Sequence, residues 1–258
     1  KDSRQKFLIE TEKEKEGYLR SVKELLKKCE TEKELGKGVK GALAELIEVP
    51  SEMETAIEIA LGVSIQNIVT DTEQDAQRLI EYLKQNNLGR ASFLPLSTIK
   101  GKKVDNIKEK TNGVLGVATD LIKYDKQIEQ IIFYLLGRTV IVDNMSTAIK
   151  LAKSNSYSFK IVTIGGDVIN SSGVMSGGSV SKKTVKILGR SKEIEELKKN
   201  VENIKKYQIE LKNQKEEIIK NSSDILKKAE ELENTLQTIE IKYNVENQKL
   251  QSINENIE

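Results

Sequence analysis

Five glycines fall within fourteen residues in Gly165-Gly-Asp-Val-Ile-Asn-Ser-Ser-Gly-Val-Met-Ser-Gly-Gly178, interleaved with serine and small apolar side chains. Glycine at that density provides positive φ or lets a second backbone come close. Two uses fit the residue types: a glycine-rich hairpin and loop, or a surface on which another chain lies. A second run, Gly36-Lys-Gly-Val-Lys-Gly41, has the G-x-G-x-x-G spacing of a dinucleotide site. That site requires a strand before the glycines and a helix N-terminus after them, facing the pyrophosphate. Here a charged helical stretch precedes the run and the strand-like Ala42-Leu-Ala-Glu-Leu-Ile-Glu-Val49 follows it, so the run reads as a helix-to-strand joint. No G-x-x-x-x-G-K-[ST] phosphate cradle occurs.

The remaining reactive types exclude most catalytic classes. Cys29 is the one cysteine and histidine is absent, which removes Cys-His and Ser-His-Asp chemistry and structural zinc. Asp71, Asp143 and Asp167 have no partner base or metal-cluster spacing and read as helix caps and turn residues. The expectation is a non-enzyme with no cofactor and no metal in this segment. Lysines cluster instead: Lys33, Lys37 and Lys40; Lys100, Lys102 and Lys103; and Lys182, Lys183, Lys186, Arg190 and Lys192. They suit phosphate contacts that read no sequence, or an ordinary solvated lysine surface. With no tryptophan, and phenylalanine and tyrosine scattered, there is no base-stacking platform.

These groups are positioned by three segments of differing composition. Of 258 residues, 37% are apolar and 32% charged, and the formal charge is +2. The arms 1–35 and 188–258 contain neither proline, and 14 of the 16 glycines lie between them, in the only part apolar enough for a core. By segment the net charge is +1, +3 and −2, so no segment is strongly basic. In the C-terminal arm, alternate steps of three and four from Ile194 to Ile257 visit 19 positions, of which 15 are apolar or tyrosine. That 3.5-residue repeat predicts a left-handed coiled coil roughly 100 Å long at ~1.5 Å per residue. The N-terminal arm carries Leu8, Tyr18, Val22, Leu25 and Cys29 on one seam and is expected to be helical to about Leu35 and to pair antiparallel with its counterpart. The distal half of the longer arm then lacks an in-chain partner, as in a piece cut from a longer protein. No apolar run of membrane-spanning length and no leader pattern is present, so the reading is a cytosolic protein with no membrane partner.

The middle contains a weak repeat. Ala56–Gly62, Val63–Asp71, Thr72–Leu83 and Ala91–Leu96 correspond to Ile131–Gly137, Arg138–Asp143, Asn144–Ala152 and Phe159–Ile164. Gly62 and Gly137 are 75 apart, whereas Asp71 and Asp143, Ala76 and Ala148, and Leu79 and Leu151 are each 72 apart. Each copy reads helix, glycine stop, β-branched strand, helix, strand. The fold class is α+β, two similar α/β subdomains at 36–118 and 119–187, flanked by an antiparallel coiled coil.

Gly166-Asp-Val-Ile-Asn-Ser-Ser-Gly-Val-Met-Ser-Gly-Gly178 resembles the G-D-V-x-N-P-x-G-x-M-[ST]-G-G signature of hinge domains of structural maintenance of chromosomes (SMC) proteins. Gly41-Ala-Leu-Ala-Glu-Leu-Ile47 is similar to that domain's G-x-x-x-x-L-I opening, and Gly89-Arg-Ala-Ser-Phe-Leu-Pro-Leu96 to its G-R-A-T-F-L-P-L element, with Ser171 in place of proline and Ser92 in place of threonine. The resemblance covers about 36–187. It implies a hinge that dimerises through a two-fold interface, with Gly166, Gly173, Gly177 and Gly178 at the contact. It also implies weak, non-specific DNA binding near the coiled-coil junction, with Lys37, Lys40, Lys100, Lys102, Lys103, Lys182, Lys183 and Lys186 as candidates. The family's ATPase heads, and the kleisin and accessory subunits that meet them, belong to parts of the chain not present here. The location implied is cytoplasmic and nucleoid-associated. A paralogous partner in place of a second copy stays open, as does a monomeric cap on a helical hairpin that binds another protein.

Overall fold

The computed structural model describes residues 2–105, 107, 112–178 and 187–255. In chain order the elements are α1 (Asp2–Lys13), α2 (Arg20–Thr31), α3 (Lys33–Gly36), β1 (Val39–Ala42), β2 (Ile47–Glu48), α4 (Glu54–Leu61), β3 (Ile68–Thr70), α5 (Glu73–Gln85), β4 (Phe93–Pro95), β5 (Val114–Val117), β6 (Lys123–Tyr124), α6 (Glu129–Leu136), β7 (Thr139–Val142), α7 (Met145–Ser154), β8 (Lys160–Thr163), β9 (Val168–Ile169), β10 (Met175–Ser176) and α8 (Arg190–Glu255). Short 3-10 turns follow β1, α4, β5 and β6.

The repeat is real and longer than the sequence suggested. One sheet runs β1-β3-β4 and the other β10-β9-β8-β7-β5; in each, an antiparallel strand (β1 or β5) joins a parallel pair (β3 with β4, β7 with β8). β1 and β5 both carry an irregularity, between Val39 and Gly41 and between Val114 and Gly116. The glycines Gly38 and Gly113, and Gly41 and Gly116, are 75 apart and all have positive φ. The carbonyls of Gly38 and Gly113 accept from the amides of Asp71 and Asp143 at 2.8 and 2.9 Å. The G-x-G-x-x-G run is therefore the joint from α3 into β1. β5 sits in the second sheet, which corrects the expected boundary at 118: its ladder with β7 starts subdomain II by residue 114.

Helix starts follow ordinary capping chemistry. Thr72 and Asp75 form a reciprocal box at α5, with Thr72 N donating to Asp75 Oδ2 at 3.1 Å and Asp75 N to Thr72 Oγ1 at 3.2 Å. Asn144 Oδ1 caps α7 by accepting from Thr147 N at 3.0 Å. Strand periodicity then divides the core. Val140, Val142 and Ile161 face one cluster with Ala148 and Leu151 of α7, and Ile141 and Val162 face another with Ile57 of α4 and Ile131 of α6. β3 divides likewise, Ile68 meeting Leu79 and Leu83 of α5, and Val69 joining the α4–α6 cluster. A two-stranded link, β2 with β6, also ties the halves together.

The N-terminal arm departs from expectation. It is not one helix to Leu35: α1 ends at Lys13, and Lys15 and Gly17 take positive φ before α2 begins. Val22, Leu25 and Leu26 of α2, with Leu35, are buried against Ala42, Ile68, Leu79 and Leu83, so residues 20–35 pack into the first half of the fold. The antiparallel pairing involves α1 and the start of α8. Arg4 pairs with Glu193 at 2.6 Å, and the Arg190 guanidinium donates to the Glu16 carbonyl at 2.9 Å and the Thr11 carbonyl at 3.4 Å. Residues 199–258 form a separate unit, within which α8 exposes its apolar stripe, including Ile218, Ile225, Leu232 and Leu236.

Two outcomes follow. Leu25→Ala, at a fully buried position, costs about 2–5 kcal/mol of stability, read by urea denaturation. Arg190→Ala removes the guanidinium donor from the Glu16 carbonyl and the second donor from the Thr11 carbonyl, and weakens that end by about 1–3 kcal/mol, read as faster amide exchange over residues 7–16 with α4 unchanged.

Candidate functional site

The glycine-rich run folds as two successive turns at one end of the five-stranded sheet. In the first, between β8 and β9, Thr163 N donates to Asp167 O at 2.8 Å and Gly166 N to Thr163 O at 2.9 Å. Gly166 is buried there with φ +95°, so its glycine requirement has a cause within its own chain. In the second, between β9 and β10, Gly173 N donates to Asn170 O at 2.8 Å and Asn170 N to Val174 O at 2.9 Å, with Gly173 at φ +81°. β10 pairs with β9 on one side and is the last strand of its sheet. Every residue from Ser171 to Gly178 is exposed, Val174 by 57% and Met175 by 49%.

The four candidate glycines are thus not equivalent. A Cβ on Gly173 or Gly178 would meet nothing within 4 Å, although both have positive φ. A Cβ on Gly177 would overlap the Asp167 carboxylate. Sequence reasoning makes Asp167 no more than a turn former, yet its carboxylate ties the run together. Its Oδ1 accepts from Gly178 N at 3.3 Å, its Oδ2 from Thr163 Oγ1 at 3.2 Å, and its own amide donates to Thr163 Oγ1 at 2.9 Å. The other sheet ends at β4, whose Phe93–Pro95 backbone pairs, among the described residues, only with β3. In the second half, the matching strand β8 has its outer side covered by β9.

The lysine candidates separate into groups. Lys37 is exposed and its carbonyl accepts from Arg78, whereas Lys40 is paired with Asp71 at 3.0 Å. Lys100 and Lys102 are exposed on the segment that crosses α6, where Gly101 N donates to Gln130 Oε1 at 3.2 Å and Val104 N to Gly137 O at 2.8 Å. Lys103 on that segment pairs with Asp120 at 2.5 Å. Lys182, Lys183 and Lys186 lie outside the described residues. Arg190 leaves the predicted patch: it is 6% exposed and committed to capping α1. Nor does Lys37 adjoin the root of the arms, since the 12-residue α2, about 18 Å long, lies between the turn at 14–19 and the Lys33–Lys40 stretch.

Two ionic details escape sequence reasoning because charge in a string carries no burial. Lys15 lies against Glu45 at 2.7 Å and Glu30 at 3.3 Å; burial opposes its charge, yet the two carboxylates hold its pKa above the ordinary lysine value. Lys160 donates to the Ala60 carbonyl at 2.9 Å, at the C-terminal end of α4, and burial lowers its pKa. Cys29 is partly buried, and burial pushes its thiol up to about 11, well away from a reactive thiolate. Among the described residues no group of three histidine, cysteine or acidic side chains is arranged to hold a metal ion, and no helix is long and apolar enough to cross a membrane.

Comparison with known proteins agrees with this architecture. The family model described as SMC proteins Flexible Hinge Domain matches residues 36–152. The chain is 45% identical over 187 residues to the chromosome partition protein Smc of Bacillus subtilis and 43% over 194 residues to that of Clostridium kluyveri. These matches cover 71% and 74% of this chain but only 15% and 16% of those relatives, so the chain spans about one sixth of their length. Among solved structures, the Geobacillus stearothermophilus SMC hinge domain, an asymmetric dimer, is 36% identical with a TM-score of 0.71, covering 80% of this chain and 82% of that one. The Pyrococcus furiosus Smc hinge with an extended coiled coil is 34% identical with a TM-score of 0.52, covering 88% and 81%.

Proposed function

This chain belongs to the SMC hinge family, and on that premise we propose that it is a self-association module joining two coiled-coil arms, which meets a second copy of itself edge to edge through its sheets. One observation carries the reading. The repeat gives both halves the same parallel strand pair, but the side of β8 covered by β9 corresponds to a side of β4 that no strand among the described residues occupies. β10 offers an edge of its own that no strand among the described residues pairs. An exposed edge is a template for another strand, and when β10 of each copy meets β4 of the other, the two contacts are related by a two-fold axis and close on themselves. The asymmetric dimer of the Geobacillus hinge supports self-association. A paralogous chain with the same two edges fits the same geometry.

The proposal places this hinge in a chromosome-partition protein associated with the nucleoid, whose ATP-hydrolysing heads, with their kleisin and accessory subunits, lie outside these 258 residues. The hinge itself needs no cofactor for this role. Non-specific DNA contact is the second part of the proposal. It is favoured by exposed Lys37, Lys100 and Lys102, which make no ion pair among the described residues, with Lys182, Lys183 and Lys186 as further contributors. Lys40 and Lys103 contribute less, because Asp71 and Asp120 already neutralise them.

Sedimentation equilibrium on the whole chain tests self-association. The expected result is a dimer that Met175→Lys weakens by about tenfold or more, since a charge then sits at the buried edge. Leu232→Glu, on the arm stripe, separates arm association from hinge association and leaves that dimer intact. A monomer at every concentration supports the capped-hairpin alternative. For DNA, combined Lys37→Glu, Lys100→Glu and Lys102→Glu lowers affinity for single and double strands and flattens the log-log salt slope by roughly 0.7–0.9 for each phosphate no longer neutralised. Unchanged low-salt affinity removes these lysines from the surface.

A further inference from the structure

We propose that Asp167 is the positioning residue of the self-association edge: it anchors the end of β10 and is itself the reason that position 177 must be glycine. The inference rests on the self-association reading and adds a residue to it. β10 has two residues, paired on one side only, in a stretch exposed from Ser171 onward. A two-residue strand at a sheet edge is marginal without a further tie. Asp167 provides one. Its position is fixed by buried Thr163, whose amide donates to the Asp167 carbonyl at 2.8 Å and whose hydroxyl contacts both the Asp167 amide and Oδ2. The other oxygen, Oδ1, then accepts from the Gly178 amide at 3.3 Å, just beyond the last paired residue of β10. This bond is charge-assisted, and at 3.3 Å it is long for its class, so the tie is a modest one on a strand that has few others.

The crowding at Gly177 has the same origin. The three nearest atoms to a Cβ built there are Oδ1, Cγ and Cβ of Asp167, with no backbone atom among them. The glycine lets the chain pass over the carboxylate so that the following amide can donate to it. Fraying at this end leaves the outer edge of β10 to be ordered at the moment of association, which costs affinity.

A double-mutant cycle on the whole chain, read by sedimentation equilibrium with the thermal midpoint monitored, separates this role from a general structural one. Asp167→Ala and Gly177→Ala each weaken the dimer by about tenfold, and the double variant is no weaker than Asp167→Ala alone, because the methyl then meets no carboxylate. Asp167→Asn, which keeps an acceptor oxygen, restores most of the affinity. Exchange of the Gly178 amide rises in Asp167→Ala while the amides of β7 stay protected. Losses that multiply in the double variant place the crowding across the interface and overturn the proposal, as does wild-type affinity in Asp167→Ala. If Asp167→Ala fails to fold, Asp167→Asn and Gly177→Ala decide the matter together: a folded Asp167→Asn that dimerises no better than Gly177→Ala overturns the proposal. A wild-type chain that stays monomeric overturns the self-association reading, and this inference falls with it.

Discussion

Each half of this fold has a sheet with two apolar faces, one covered by that half alone and the other covered in a cluster to which both halves contribute a helix. In the second half, α7 covers Val140, Val142 and Ile161, while Ile141 and Val162 point to the opposite side. In the first, α2 and α5 cover Ile68, and Val69 points away from them. The uncovered faces are satisfied together by α4 and α6, whose Ala56, Ile57, Ile131 and Ile132 are fully buried in one cluster with both sheets. A strand alternates its side chains with period two, so neither half can turn its residues to a single face and stand alone. The shared cluster therefore fixes the relation between β4 at the end of one sheet and β10 at the end of the other. Any two-edged contact with a second copy depends on that relation.

The root of the arms obeys a different rule. There, beside the buried Leu188 and Ile194, polar and charged groups meet: Arg190 on the carbonyls of Thr11 and Glu16, Arg4 on Glu193, Lys15 on Glu45 and Glu30, and Glu14 on Lys23 and Lys27. The exposed pairs among these, Arg4 with Glu193 and Glu14 with its lysines, are individually worth little and are screened by salt, whereas Lys15 is half-buried. Arg190 differs because it is buried, and a buried guanidinium holds its geometry only while its acceptors stay in place. The direction in which α1 leaves the fold is thus set by one buried cation with a rim of weak pairs around it.

The repeat is legible in the sequence where side chains carry the pattern and hidden where the backbone does. Gly62 with Gly137 and Asp71 with Asp143 stand out because they end or precede elements of strong apolar period. Gly38 with Gly113 and Gly41 with Gly116 have the same 75-residue separation as the first pair, yet they serve an irregularity in β1 and β5 whose only mark is positive φ. α2 departs from expectation for a related reason. Over twelve residues, Val22, Leu25 and Cys29 satisfy both a 3.5-residue seam and, with Leu26, a 3.6-residue amphipathic face, and the partner distinguishes them. The pattern that α8 carries, sustained from Ile194 to Ile253, leaves no such ambiguity. Among the candidate site residues, glycines at the turns are legible as glycines, but the cause is divided between φ at Gly173 and Gly178 and a neighbouring carboxylate at Gly177.

An exposed β edge with apolar side chains is ordinarily a liability, because it pairs with whatever strand arrives. Three features limit that here. β10 is two residues long, so an extended intruder gains few hydrogen bonds. β4 carries Pro95, which supplies no amide donor, so the edge is chemically uneven along its length. The two edges also sit on opposite halves of one shared core, and a partner must satisfy both at once to gain the full contact. A single strand from an unrelated chain satisfies one. In the proposed two-fold contact a second copy of this fold satisfies both, and the pairing stops at two because such a contact closes on itself. The cluster between α4 and α6 holds the two edges in a fixed relation through the buried side chains the halves share. In the proposed contact the specificity of the edge therefore lies in the core behind it, and the glycine-rich strand provides only the surface on which that specificity is expressed.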